Sequence, residues 1–243
     1  MINEYHVMDM EKLFDYKPMN ANLIIADPPF GIKFDGKNKN NYNRTKDSIV
    51  EGYVEWNEVE YYDNILMVLY AIERHLDDYG SALVFSSWNN ADNIIWAMEY
   101  EDVDLYLQGK LYYAYNFIPP CRKRPNHNIY EIFWFTKDRK KWTYNNRCST
   151  SHCTEGEKNL ALLQFKREYR KGLVRYPTMF PLDLVKCLIE HFSNEGDLIM
   201  DFMAGSGIVG IAAQMLKRDF ILSDINPNGK KVYKTLKEYY FGD

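Results

Sequence analysis

The sequence predicts an α/β protein: a mostly parallel sheet with helices on both faces. Three observations carry this. After Pro181, helical and strand-like patterns alternate to the end of the chain. A short apolar run at 22–26 stops at two prolines. A glycine-rich turn, Gly205-Ser206-Gly207-Ile208-Val209-Gly210, falls between an expected strand and an expected helix. A helix that follows a strand and precedes another returns the chain to the strand's starting edge, so neighbouring strands run parallel.

Taken in order, residues 22–26 read as a buried strand ended by Asp27-Pro28-Pro29. Residues 31–52, rich in Lys, Asn, Asp and Gly, are expected to form a mobile loop following that strand. Apolar residues at helical spacing, among them Ile65, Leu66, Leu69 and Ile72, predict a helix over 58–77. Gly80 is expected to open a strand at 82–85. A helix at 89–99 and a short strand at 104–107 follow, then strands at 112–118 and 129–136. Residues 137–174 look polar and irregular, with a helix near 159–169. The last third reads as helix 182–192, strand 198–202, helix 208–217, strand 220–223 and helix 227–239.

A chain of 243 residues, 46% apolar, suits one domain with a large core, or a domain plus an insertion. No apolar run reaches the ~20 residues of a membrane helix, and the first residues lack a secretory pattern, so no membrane and a cytoplasmic location are expected. Cys121, Cys148, Cys153 and Cys187 need not pair in such a compartment. Cys148, His152 and Cys153 lie close in sequence, near Cys121 and His127, but without the paired C-x-x-C spacing of a zinc knuckle. Reduced thiols and no metal are expected.

The net charge of −4 hides an asymmetry: residues 121–175 hold 14 Lys/Arg against 5 Asp/Glu, the remainder 16 against 29. Arg122, Lys123 and Arg124 form one basic cluster, Arg139, Lys140 and Lys141 a second, and Lys166, Arg167, Arg170 and Lys171 a third. Trp134, Trp142, Tyr144 and Tyr169 are interleaved. Such a stretch in an acidic protein fits either a phosphate backbone or a solvated surface.

The turn at 205–210 matches G-x-G-x-x-G, with Asp224 ending the next strand, an arrangement that cradles an adenosine cofactor whose ribose meets the acid. Only 36 residues follow Gly207, too few for a dinucleotide fold beginning there. Asp201 before the turn would repel a pyrophosphate but receive a cationic amino-acid group. S-adenosylmethionine, with an ammonium, a sulfonium and no phosphate, fits Asp201-Phe202-Met203-Ala204-Gly205-Ser206-Gly207 better.

Asp27-Pro28-Pro29-Phe30 resembles the D/N/S-P-P-aromatic motif of amino-group methyltransferases. Asp27 can accept a hydrogen bond from an exocyclic amine. The prolines lack N–H donors and leave the Pro28 carbonyl as a second acceptor, and Phe30 can stack on a flipped base. The motif order resembles the beta class of DNA amino-methyltransferases: tetrad first, basic segment next, cofactor turn last. That resemblance implies a circularly permuted Rossmann-like methyltransferase. Residues 1–136 would form the catalytic part, 137–175 a target-recognition insert and 176–243 the cofactor-binding part. Pro177-Thr178-Met179-Phe180-Pro181 resembles the family's P-T-x-K-P, which implies Thr178 at the methionine carboxylate. Asn128-Ile129-Tyr130-Glu131 resembles its N-x-x-E strand beside the base pocket. His6-Val7-Met8-Asp9 resembles the strand whose acid lies near the adenine. Asp224 and Asn226 take the places of the ribose-binding acid and its neighbour, and Ala26 would face the cofactor beside the tetrad.

Three departures stand out: Phe180 for the usual Lys, Phe30 for Tyr, and Asp224 for Glu. The resemblance implies adenine-N6 methylation of DNA, with Arg122, Lys123, Arg124, Arg139, Lys140 and Lys141 as candidate DNA contacts and a homodimer as the assembly. Cytosine-N4 methylation, RNA adenosine methylation, a non-catalytic nucleic-acid-binding module and an NAD oxidoreductase are the alternatives.

Overall fold

The computed structural model describes residues 2–31, 52–115, 128–146, 148–150, 161–166, 176 and 178–242. Its centre is an eight-stranded sheet. The strands are β1 (Asn3–Val7), β2 (Ala21–Ala26), β3 (Leu76–Ser86), β4 (Tyr106–Ala114), β5 (Ile129–Thr136), β6 (Leu162–Gln164), β7 (Leu198–Asp201) and β8 (Asp219–Asp224), in the order β1-β8-β7-β2-β3-β5-β4-β6. All pairings are parallel except those of β5 with β3 and with β4.

Side chains alternate across β2 and sort the core into two layers. Leu23 and Ile25 face α3 (Leu182–Phe192), α4 (Ile208–Met215) and α5 (Pro227–Phe241). Ile24 and Ala26 face α1 (Tyr61–His75) and α2 (Ala91–Tyr100). This period-two division makes the expected three-layer α/β/α arrangement. Burial of this kind is worth about 2 kcal/mol for each large apolar side chain.

The chain turns the site into a crevice by its topology. From β2 it winds outward through α1 to β3; later it returns through α3 to β7 on the other side of β2 and continues to β8. The β2/β7 boundary, where Leu23 pairs with Ile199 and Ile24 with Met200, is therefore the switch point of the sheet. Ligands of open α/β sheets bind beyond the strand C-termini at such a point. Here those termini carry Asp27 and Asp201. β1 lies beside β8 at the far edge, so the first and last strands are neighbours, as in a permuted sheet.

Several expectations need correction. Gly80 does not open β3, which begins at Leu76; it marks an irregularity where the register with β2 slips between Ala21 and Leu23. A Cβ at Gly80 would meet the Ala21 carbonyl oxygen at 2.9 Å, so close backbone approach explains the glycine. The strands expected at 104–107 and 112–118 are one strand, β4, carrying a bulge between Leu107 and Gly109. Within the helix expected near 159–169, Leu162–Gln164 forms β6, paired with Tyr112–Ala114. Ala161, Phe165 and Lys166 on either side of it are not helical. The remaining residues of that helix, the mobile loop except for its ends Gly31 and Gly52, and Arg122, Lys123 and Arg124 lie outside the described residues. No helix among the described residues is long and apolar enough to cross a membrane.

Candidate active site

β2 ends at Ala26 and delivers Asp27 to the crevice. The Asp27 residue is half-buried, but its Oδ1 is fully enclosed and has no hydrogen-bond partner among the described residues. Desolvation pushes its pKa up to about 7. An acceptor held dry and unsatisfied is costly in isolation, and its retention points to a donor that arrives with a ligand. The following turn is fixed from two sides. Asn90 Nδ2 donates to the Phe30 carbonyl, and the Gly31 N–H donates to Glu55 Oε1 at 2.8 Å. Phe30 itself lies against Tyr130, ring centres 5.3 Å apart, and Tyr130 stacks on Tyr115 at 5.4 Å. An aromatic wall thus stands beside the carboxyl.

The second half of the site follows β7. Asp201 is buried, and its Oδ1 accepts the Met203 N–H at 2.9 Å. Burial raises its pKa well above the usual carboxylate range; the Met203 bond opposes this, and Asp224 and Asp27 add repulsion. The turn closes through Gly207 N–H to the Ala204 carbonyl at 2.7 Å, and Gly207 begins α4 with φ 74°. That left-handed conformation favours glycine. Asp224 organises the turn directly: Oδ2 accepts the Gly205 N–H at 2.8 Å and Oδ1 the Asn226 N–H at 2.7 Å. Its pKa is raised by burial, against these two bonds. Each oxygen retains lone-pair capacity, so a ribose hydroxyl can still donate to it. Asn226 then caps α5 through the Asn228 N–H at 3.0 Å, ahead of Pro227 at the first helical position.

The structure brings most of the expected residues together: Asp27, Pro28, Pro29 and Phe30 after β2, Asp201 to Gly207 after β7, and Asp224 and Asn226 after β8. The Asp9 side chain caps a short 3-10 turn by accepting the Glu11 N–H at 3.0 Å; Met8 beside it bonds the Asp224 carbonyl, which places Asp9 at this edge. Phe202 turns its ring into the core beneath α1, leaving its backbone to the turn. Ala204 and Ser206 are buried within the turn. Thr178 is exposed in a turn closed by Met179 N–H to the Tyr176 carbonyl. Phe180 stacks on Phe85, centres 4.4 Å apart, and meets Tyr113 edge-on. An aromatic packing role therefore fills the place of the family's lysine.

Arg139, Lys140 and Lys141 are not brought to the crevice. Ala26 is level with Val84 and Phe133, and β5 runs away from that level, so Thr136 lies about 10 Å down the sheet and the triplet beyond it. There the N–H groups of Lys140 and Lys141 bond Asp138 Oδ1.

Four residues of the site went unrecognised in the sequence. Tyr5 on β1 donates its hydroxyl to the Gly205 carbonyl at 2.8 Å. Gly229 on α5 permits this contact, because a Cβ there would overlap the Gly205 carbonyl and lie 2.5 Å from the Tyr5 hydroxyl. Tyr176 lies over Gly205 and feels the charge of both Asp224 and Asp27. Tyr53, whose phenol pKa is raised by burial, Glu55 and Asp27, lies beside Glu55, close enough to feel the Asp27 and Tyr176 side chains. A tyrosine in a strand and a glycine in a helix carry no local signal of such roles; only the spatial neighbour defines them.

Three raised carboxyls around one glycine cradle call for a cation. S-adenosylmethionine fits this donor set: Asp201 would receive its ammonium and Asp224 its ribose, beside a glycine turn over which Tyr176 lies. A permuted α/β sheet with this cradle beside an Asp-Pro-Pro-Phe strand end defines an S-adenosylmethionine-dependent amino-methyltransferase. The chain belongs to the N6/N4 family described as DNA methylase, whose profile matches residues 21–235. It is similar to the Type II methyltransferase M.HpaI of Haemophilus parainfluenzae, 27% identical over 220 residues, covering 85% of this chain and 65% of that protein. It is also 26% identical over 234 residues to the DNA adenine methyltransferase YhdJ of Escherichia coli K12, covering 85% of this chain and 72% of that protein. The solved M1.HpyAVI–SAM complex shares the fold, with a TM-score of 0.70 at 20% identity over 97% of this chain and 99% of that one.

Proposed function

We propose that this chain methylates N6 of adenine in DNA, at Asp27. The observation that carries the reading is the enclosed, unsatisfied Asp27 Oδ1 at the switch point, beside a cradle for a cationic cofactor. When bound, S-adenosylmethionine supplies an electrophilic methyl group on its sulfonium. Asp27 Oδ1 accepts one amine hydrogen and the Pro28 carbonyl the other, which draws the nitrogen lone pair out of conjugation. The nitrogen so exposed would take the methyl group that the cofactor supplies, and the methylated nitrogen would give up one proton, for which the Asp27 carboxylate, of pKa about 7, is a suitable first acceptor. Phe30, backed by Tyr130, holds the flipped base by stacking. Fixed acceptors and a fixed ring supply positioning, a large share of any such acceleration.

Asp in the first tetrad position favours adenine over cytosine in the resembling family, and the similarity to YhdJ supports the same base. DNA and a homodimer are part of this reading. Incubation with labelled S-adenosylmethionine and paired DNA and RNA substrates, followed by digestion to nucleosides, tests it. Label in N6-methyladenine from DNA is expected; label confined to cytosine or to RNA would overturn it. Light scattering checks the dimer, with twice the 28.9 kDa chain mass expected and the single-chain mass contradicting it.

A further inference from the structure

A second cluster of reactive side chains lies on α3, towards the end of the helix that leads into the start of β7, whereas Asp27 follows the end of β2. α3 presents Cys187 and His191, four residues apart and so on one face of the helix, and the segment at Cys148–Thr150 brings Cys148 against them. The Cys148 and Cys187 sulfurs are 3.3 Å apart without a disulfide, and the ligand atoms of all three residues lie within 4.8 Å of one another. We propose that Cys148, Cys187 and His191 bind one zinc ion.

The chemistry of the donor set selects this kind of ion. Two thiolates and an imidazole prefer a thiophilic cation over magnesium or calcium, which take oxygen ligands. At Zn–S distances of about 2.3 Å, tetrahedral geometry sets two sulfurs about 3.8 Å apart, so the thiols need to separate by only a few tenths of an ångström. A divalent ion with two thiolates and a neutral imidazole carries no net charge, so burial of Cys187 and His191 does not strand a charge in the core. The two displaced thiol protons leave to solvent. Water completes the fourth position, on the half-buried Cys148 side.

The surroundings hold these ligands in place independently of any metal. His191 Nδ1 is engaged by the Asn145 carbonyl at 2.5 Å, which directs Nε2 towards the thiols, and Tyr144 stacks on the ring with centres 5.6 Å apart. A ligating histidine fixed through its other nitrogen is the usual outer-shell arrangement of zinc sites. Ser149 is tied to Glu190 Oε2 through both its N–H and its hydroxyl, at 2.8 and 3.0 Å, and Thr150 Oγ1 lies 3.0 Å from the Cys148 sulfur. Asn145 adds three side-chain bonds to the end of α3, to Glu190, Ser193 and Asn194. The ion would fasten Cys148, with its neighbours Ser149 and Thr150, to α3. None of the three ligands is among the residues that form the methyl-transfer crevice.

The test is metal content of the full chain, purified without chelator from zinc-supplemented medium and passed through a desalting column. About one zinc per chain is expected by elemental mass spectrometry. Cys148→Ser and His191→Gln should each reduce it at least tenfold while retaining the far-ultraviolet circular dichroism of the parent. Cobalt added to the zinc-stripped chain should give thiolate-to-cobalt charge-transfer absorption, lost in Cys148→Ser. Chelator should lower the melting temperature of the parent but not that of Cys148→Ser, a half-exposed position chosen because Cys187→Ser in the core could prevent folding. Less than a tenth of an equivalent of zinc in the folded parent would overturn the proposal. So would equal zinc in all three proteins, or an intact mass two hydrogens light, which marks a disulfide instead.

Discussion

Asp27→Asn separates the energetic burden of the catalytic carboxyl from its use. The buried carboxyl ionises near pH 7 in the folded chain, against 3.8 ordinarily. Between those values the folded state holds one more proton than the unfolded state, so wild-type stability falls as pH rises through that window and levels off above about 7. The difference corresponds to about 4 kcal/mol at full burial. Because Asp27 is partly exposed, solvent screening reduces this to about 2 kcal/mol. Asparagine has the same shape and does not titrate. The variant should therefore match wild type near pH 4 and exceed it by about 2 kcal/mol at pH 8, roughly 4–8 °C in melting temperature. Removal of the Asp27 charge also relieves Asp201, which adds in the same direction. Single-turnover methyl transfer should fall in the same variant by roughly 10- to 100-fold, as a charged acceptor is exchanged for a neutral one. Urea unfolding at pH 4.5 and 8, with a radiolabel transfer assay at pH 8, measures both. An equal stability difference at the two pH values, or an unchanged rate, would refute the reasoning.

Gly229→Ala should weaken S-adenosylmethionine binding by at least about tenfold in calorimetric titration, because its Cβ would displace the Gly205 carbonyl and the Tyr5 hydroxyl together. Phe180→Lys restores the family's residue but removes the stack on Phe85 and the contact with Tyr113; it should destabilise the fold by about 2 kcal/mol in urea unfolding. Replacement of Arg139, Lys140 and Lys141 together by Gln should leave DNA affinity within about twofold and its salt dependence unchanged in anisotropy titrations, since the triplet lies beyond the end of β5 that points away from the crevice.

The sequence spelled out the parts of the molecule in which local chemistry and global packing agree. Leu182–Phe192 and Ile129–Thr136 have the bounds read from their patterns, because their apolar spacing is set by the layer that each one covers. Asp27, Asp201 and Asp224 stood out because each ends a strand against a proline or glycine turn. Gly80 misled because a glycine that admits an irregularity within a strand reads in sequence like one that opens it. β6 was missed because three residues carry no period, and its pairing with Tyr112–Ala114 is a tertiary fact. The basic triplet illustrates the limit most clearly. Its composition suggested a DNA contact, but the antiparallel direction of β5 carries it away from the crevice. Cys187 and His191 lie within the helix read at 182–192 and far in sequence from Cys148, so only the fold brings the three together.

In the proposed reaction Asp27 sits against the amino group of an adenine in DNA. Methylation-resolving sequencing of DNA from cells that lack endogenous methyltransferases, expressing either this chain or its Asp27→Ala variant, tests it most directly. N6-methyladenine within one recurrent sequence is expected in the first case and none in the second, although the variant still binds S-adenosylmethionine. Methylation found on cytosine N4 instead, or adenine methylation that persists in the variant, would contradict it.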